Sequence, residues 1–301
     1  TEALGYSTFF LADHFLSEGP ALEGTFHPPQ MLGAMPAIAM ALQQTTTLRV
    51  GARVLCNDYR HPFVTAKEAA TLDYLSEGRL EFGIGAGWIR KEYEAVNLPF
   101  DEFPERFSRF AEFVHAYKAF MAGELLDIDG DFIRWSGFAG TPTPAQQPHP
   151  PLMIGGGSKK ILEFAGAEAD IVSLNFNNRA GMLGPDGMIS GLAEATAKKI
   201  QWVQNGAGAR FDDIEFEIGA YNTIITDHQE PTAAAIGEAL GMSPADILNH
   251  PHCLIGSVDF ICEELQRRRE TYGISYIAVL DDGENNMVEA FAPVVARLAG
   301  K

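Results

Sequence analysis

Several places in the chain combine residue types and spacings that could do chemistry. Asp13 and His14 stand side by side after an apolar run. Histidine is the side chain whose ordinary pKa lies closest to neutrality. The pair reads as a general acid/base couple, as part of a metal ligand set, or as a salt-bridged Asp beside a structural His. Neighbouring strand residues point to opposite faces, so at most one of the two faces a shared site if the strand continues. Gly155-Gly156-Gly157-Ser158-Lys159-Lys160 is the clearest anion site. Glycines let a backbone approach a ligand, a helix start offers free N–H groups, and Lys159 or Lys160 adds a full charge. The plainer reading is a tight strand-to-helix turn with solvated lysines. Gly83-x-Gly85-x-Gly87 lacks the spacing of a dinucleotide fingerprint, and residues 88–103 read as a loop containing Pro99. Its glycines either relieve crowding or clear a strand end for a flat ring. His250-Pro251-His252 resembles a metal motif but lies far from any expected strand end, so it reads as a loop near a helix start. Arg60 and His61, ahead of Pro62, cap the next helix or contact a ligand. Cys56 reads as an apolar strand-end residue rather than a reactive thiol.

These residues need elements to position them. Ser7–Ala12, Leu48–Leu55, Arg79–Ala86, Leu152–Gly155, Asp170–Asn175, Ile214–Thr226 and Tyr276–Leu280 read as strands. Met31–Gln44, Pro62–Leu75, Pro104–Ala122, Ser158–Ala167, Ser190–Asn205, helical segments to Leu248, Ser257–Tyr272 and Met287–Leu298 read as helices. Pro62 at the start and Gly78 past the end of one helix follow the expected asymmetry. Phe107, Phe110, Ala111, Val114 and Tyr117 form an apolar stripe on the long fourth-strand approach helix. Strands alternating with helices indicate parallel βαβ units. The fold class is therefore α/β, a (β/α)8 TIM barrel with insertions, in a single domain over residues 1–301. Asp127–Trp135 reads as a small hairpin, Gly140–Pro151 as an extended proline-rich connection, and Phe176–Gly187 as an irregular lid-like loop. Seven strands are expected rather than eight. Thr1–Leu4 before Gly5 looks like the last turn of a helix, so the first βα unit of the barrel is expected to be missing from this chain.

Composition narrows the function classes. The 301 residues carry 22 basic and 40 acidic side chains, a net charge of −18. Nucleic-acid binding needs a concentrated basic surface, which this balance argues against. No apolar run reaches the ~18 residues of a membrane span, and no basic-then-apolar leader opens the chain. Three cysteines, Cys56, Cys253 and Cys262, are too scattered for a disulfide framework or zinc knuckle. A reducing cytoplasm is the expected location.

The motifs also carry a family resemblance. LGYSTFFLADHF (4–15), RHPFVTAKEAATLDYLSEGRLEFGIGAGW (60–88), the spacing of Ala139–Gly157 and ADIVSLN (169–175) occur in one order. Together they resemble the bacterial luciferase-like flavin monooxygenase superfamily, and within it the branch that uses the deazaflavin coenzyme F420. The resemblance implies a β/α barrel with a ring lying in the barrel mouth. It implies a non-proline cis peptide within Arg53–Asn57. It makes His14, with Asp13, the acid/base candidate. Cofactor contacts are implied from Leu55, Cys56, Asn57, Gly85, Ala86, Gly87, Gly155, Gly156, Gly157, Ser158, Lys160 and Asn175. Trp88, Glu92, Arg60 and Phe176 are implied to shape the substrate pocket. One departure stands out: deazaflavin dehydrogenases carry Glu directly after the Gly-x-Gly, where this chain has Trp88. A Trp cannot move a proton, and Glu92 is the nearby carboxylate that could.

The expected function is hydride transfer between coenzyme F420 and an unidentified small organic substrate, with no metal. The first alternative is an FMN-dependent monooxygenase on the same fold. A metal-dependent barrel hydrolase using Asp13, His14 and Asp281, and a non-catalytic flavin-binding protein, are the others. The resemblance implies a homodimer, and no nucleic-acid or membrane partner is expected.

Overall fold

The structure is a computed structural model; it describes residues 1–300 apart from 24, 26, 180, 183, 184 and 282–285. The chain divides into two compact units, one built on residues 8–155 with 168–170, the other on 1–7, 156–167 and 171–301.

The first unit runs β1 (Thr8–Leu11), α1 (Ala34–Gln44), β2 (Arg49–Ala52), β3 (Leu55–Cys56), α2 (Pro62–Leu75), β4 (Leu80–Gly85), α3 (Arg90–Ala95), α4 (Phe103–Met121), β5 (Leu125–Asp129), β6 (Arg134–Ala139) and β7 (Leu152–Gly156). Its sheet is parallel in the order β1-β2-β4-β7, with β3 also on β4. β4 is buried on both faces, as a parallel strand covered by helices must be. Small residues let α2 lie close: Ala66, Ala69 and Ala70 have no exposed surface. On α4, Phe110, Phe113, Val114, Tyr117 and Phe120 are buried, and Tyr117 stacks on Phe82 with centroids 4.3 Å apart. The stripe is thus rotated from the expected one, with Phe113 and Phe120 replacing Phe107 and Ala111. β5 and β6 form the expected antiparallel hairpin.

Two readings of this half need correction. Leu48–Leu55 is not one strand; the backbone breaks after Ala52, and the Arg53–Val54 peptide is cis, inside the span where one was expected. Residues 88–103 are not all loop. Arg90–Ala95 are good helix formers and make a turn and a half of helix, stopped at Asn97 in the left-handed region. Pro99 lies beyond that stop and does not prevent it.

The second unit contains α5 (Lys159–Glu168), β8 (Ile171–Leu174), α6 (Pro185–Ile189), α7 (Ala193–Ala207), β9 (Glu215–Ala220), β10 (Asn222–Ile225), α8 (Gln229–Leu240), α9 (Pro244–Leu248), β11 (Cys253–Gly256), α10 (Val258–Tyr272), β12 (Ile274–Val279) and α11 (Met287–Leu298). β8, β9 and β12 are parallel neighbours, and β10 pairs with β11 in a separate two-stranded sheet. The expected long strand 214–226 is therefore two, divided at Tyr221 and serving two sheets. β11 is an additional strand, too short to show a period. Ala220, Leu254, Ile261, Leu265, Met287, Phe291 and Val294 form this unit's apolar cluster. Thr1–Ser7 belongs here too: a short 3-10 turn stops at Gly5, whose φ is 81°, and the Tyr6 hydroxyl donates to the Val288 carbonyl at 2.7 Å. Phe176–Gly187 is not all irregular: its last residues open α6, while 180, 183 and 184, like Asp282 of the Asp281-Asp282 pair, lie outside the described residues. No helix among the described residues is long and apolar enough to cross a membrane.

Candidate active site

β1 ends at Leu11, and the next residues take separate partners. Asp13 is buried, and both its oxygens accept from the Arg60 guanidinium at 2.6 Å. Its Oδ2 also accepts from the Cys56 N–H at 2.9 Å. This bidentate pair ties the exit of β1 to the connection between β3 and α2. Arg60 is thereby engaged with Asp13, and His61 caps α2 by accepting from the Phe63 N–H.

His14 faces a carboxylate. Its Nδ1 lies 2.7 Å from Glu92 Oε2, on α3. Glu92 is 1% exposed at its side chain and accepts two further bonds, from the Phe15 N–H at 2.7 Å and the Tyr59 hydroxyl at 2.5 Å. Burial alone would raise the Glu92 carboxyl, but His14, Tyr59 and the Phe15 amide outweigh it and hold it below the ordinary range. A carboxylate only accepts, so the neutral form of the His14 ring carries its proton on Nδ1 and leaves Nε2 as the acceptor.

Aromatic rings enclose the pair. His27 lies 4.0 Å from His14 between centroids, and Trp88 meets His14 edge-on at 5.9 Å. Burial, then the charge of His14, lowers the His27 pKa to about 4, so this ring is neutral at pH 7. Tyr93 fills the space under Gly87: its hydroxyl contacts Cys56 Sγ at 3.0 Å and donates to Asp58 at 3.0 Å. A β-carbon on Gly87, whose φ is 71°, would run into that hydroxyl. Burial pushes the Cys56 thiol up to about 12, so it is protonated and inert at neutral pH. Gly83 and Gly85 face Ala52 and Val54, so these glycines do relieve crowding against the cis segment. Arg106 holds the exit of β4 by donating to the Ala86 and Gly87 carbonyls. Leu55, Cys56 and Asn57 are all buried at the end of β3.

In the other unit, Gly156 and Gly157 make the turn before α5. A β-carbon on Gly157 would run into the Phe176 carbonyl, and one on Gly156 into Ile161. Ser158 Oγ is buried without a hydrogen-bond partner, while Lys160 is exposed and Lys159 lies 3.5 Å from Glu163. Asn175 ends β8: its N–H donates to the Gly156 carbonyl, and its Oδ1 accepts from the Phe176 N–H and the Tyr221 hydroxyl. Phe176 packs on His252, with centroids 4.4 Å apart. His250 and His252 are buried and turned to the backbone, toward Met188 and Gly219 carbonyls, which fits their reading as a structural loop. Among the described residues no group of three or more His, Cys, Asp or Glu side chains could hold a metal ion.

Tyr59 and His27 were not singled out from sequence. Neither falls on a period or motif; each reaches the pair through a loop whose path only the fold defines.

Parallel strands alternating with helices, with the candidate residues just past the strand ends, define an α/β barrel of the TIM type. Residues 1–294 match the family model for luciferase-like monooxygenases, and the chain belongs to that family. It is 26% identical over 208 residues to an FMNH2-dependent dimethylsulfone monooxygenase of Pseudomonas putida, covering 69% of this chain and 53% of that protein. It is 29% identical over 170 residues to an F420-dependent glucose-6-phosphate dehydrogenase of Amycolatopsis mediterranei, covering 56% and 49%. The chain thus spans about half the length of the curated relatives it matches. Among solved structures, a riboflavin lyase bound to a modified FMN and riboflavin superposes with a TM-score of 0.74, at 14% identity, over 98% of this chain and 81% of that one. The family therefore contains both F420-dependent and FMNH2-dependent oxidoreductases.

Proposed function

We propose that this chain is a flavin- or deazaflavin-dependent oxidoreductase, and more specifically a coenzyme F420-dependent dehydrogenase or reductase acting on a small organic substrate. The observation that carries the reading is the His14–Glu92 pair at 2.7 Å. A hydride transfer at a carbon that bears a hydroxyl or carbonyl requires a matching proton transfer at oxygen. The cofactor supplies the hydride acceptor or donor. His14 Nε2 takes the hydroxyl proton during oxidation, or returns it during reduction. Glu92 fixes the tautomer and stabilises the imidazolium, as a carboxylate does behind a catalytic histidine. Asp13, closed by Arg60, sets the path of the chain that carries His14, and so acts by position.

The residues present fit a phosphate-bearing cofactor. Ser158 Oγ is a buried donor lacking a partner, next to the free N–H groups at the start of α5. Gly156, Gly157, Ser158 and Lys160 would hold the phosphate. The homodimer is part of the same proposal, tested by light scattering.

FMN-dependent monooxygenation is the second reading, favoured by the relative named for FMNH2 that aligns with 69% of this chain. Titration with coenzyme F420 and with FMN separates the two. Tight F420 binding, with substrate turnover abolished in His14→Ala, supports the first. FMN binding without F420 binding reverses the order.

A further inference from the structure

One buried charge has no role in the proton chemistry. Lys199, on α7, is 2% exposed. Its Nζ makes a single hydrogen bond, to the Asn175 carbonyl at 2.6 Å, and no carboxylate lies within ion-pair distance of it among the described residues. Burial lowers its pKa to about 8, with no acidic neighbour to offset the loss of water. A buried ammonium without a counter-ion is costly to maintain, and a methionine would fill the same space more cheaply.

The contacts of Asn175 indicate what the charge does. The carbonyl that Lys199 holds belongs to the residue whose N–H holds Gly156. The next carbonyl, of Phe176, lies against the α-carbon of Gly157 with no room for a side chain. Asn175 Oδ1 is pinned from two sides. The end of β8 and the Gly156-Gly157-Ser158 turn are thus one packed unit, and Lys199 is its charged support. The Ser158 hydroxyl, buried and unpartnered, is the group this unit presents.

We propose that Lys199 is a positioning residue that sets the Gly156–Ser158 turn for a phosphate monoester or diester and supplies the positive potential behind it. The inference rests on the cofactor reading above. Lys199 does not touch the phosphate; it acts through Asn175.

The test compares ligands with and without the phosphate, of which FMN and riboflavin differ in it alone. Wild type, Lys199→Met, Lys199→Arg and Ser158→Ala are titrated with FMN and riboflavin by fluorescence, and with coenzyme F420 and its dephosphorylated ring-ribitol fragment. Thermal melts accompany each variant. Lys199→Met is expected to weaken the phosphate-bearing ligand about tenfold while changing the phosphate-free one less than about twofold. Lys199→Arg, which keeps the charge, is expected to recover part of the loss, and Ser158→Ala to reproduce it by removing the hydroxyl directly. Equal weakening of both ligands in Lys199→Met overturns the proposal, as does a wild type that binds ring compounds without preferring the phosphate. A wild type that binds none of the four compounds overturns the cofactor reading itself. If Lys199→Met fails to fold, Ser158→Ala and Lys199→Arg still decide: unchanged phosphate preference in both counts against the proposal.

Discussion

His14 gives Nδ1 to the Glu92 carboxylate, which leaves Nε2 for the proton transfer proposed above. Glu92 accepts three hydrogen bonds in a buried setting, so its removal leaves His14 without a fixed tautomer and leaves Tyr59 and the Phe15 amide with a weaker acceptor. Glu92→Gln is expected to lower kcat/KM by about 100-fold, within the range of a general acid–base contribution. Tyr59→Phe removes one bond of the three and is expected to cost about fivefold in kcat/KM. Steady-state kinetics on the turned-over substrate checks both; a Glu92→Gln enzyme of near wild-type activity would remove Glu92 from the chemistry. His27 carries an acid-stability prediction. Its pKa falls from 6.5 to about 4 in the folded chain. Between those values the unfolded chain binds a proton that the folded chain refuses, so stability declines as pH falls through that window. His27→Gln, which has no such proton to bind, is expected to flatten the fall of Tm between pH 6.5 and 4. An unchanged slope would assign the acid sensitivity elsewhere.

Close helix packing in the second unit rests on two glycines. On α5, a β-carbon at Gly166 would run into the Val203 carbonyl of α7; at Gly206 it would run into the Glu163 carbonyl of α5. Backbone meets backbone there, and neither helix can yield locally. Gly166→Ala is expected to destabilise by about 2 kcal/mol through overpacking, despite the better helix propensity of Ala, and to lower Tm by several degrees in a thermal melt. A raised Tm would show that the helices separate freely. The same elements show what sequence made legible. α2, α4, α10 and α11 announce themselves by period, caps and punctuation, and most strands of the main sheet by β-branched apolar runs. β11 and the break at Tyr221 do not, because a four-residue strand leaves no period and Tyr221 carries no turn signal. α3 was obscured by Pro99. At the site, Asp13 and His14 were visible as types, and Glu92 as the nearest carboxylate. Their division, Asp13 to Arg60 and His14 to Glu92, was not, because it depends on where α3 and the β3–α2 connection deliver Tyr59, Arg60 and Glu92.

At the scale of the molecule, the net charge of −18 opposes the approach of any anion. The proposed cofactors carry phosphate, so recognition has to work against the long-range field through a short-range feature. In the proposed site the Gly156–Ser158 turn, Lys160 and the buried Lys199 would be that feature: it would act within a few ångströms, where salt screens little, while the repulsion from the rest of the surface acts over a Debye length of ~10 Å at 0.1 M salt. The two parts therefore respond differently to ionic strength. Raising salt from about 20 mM to about 300 mM is expected to speed FMN association several-fold by screening the repulsion, and to change its dissociation rate little. Riboflavin, which lacks the charge, is expected to associate at the same rate throughout. Stopped-flow fluorescence at several salt concentrations measures both. Association of FMN that slows with salt would mean that a local basic surface, and not the net charge, governs the encounter.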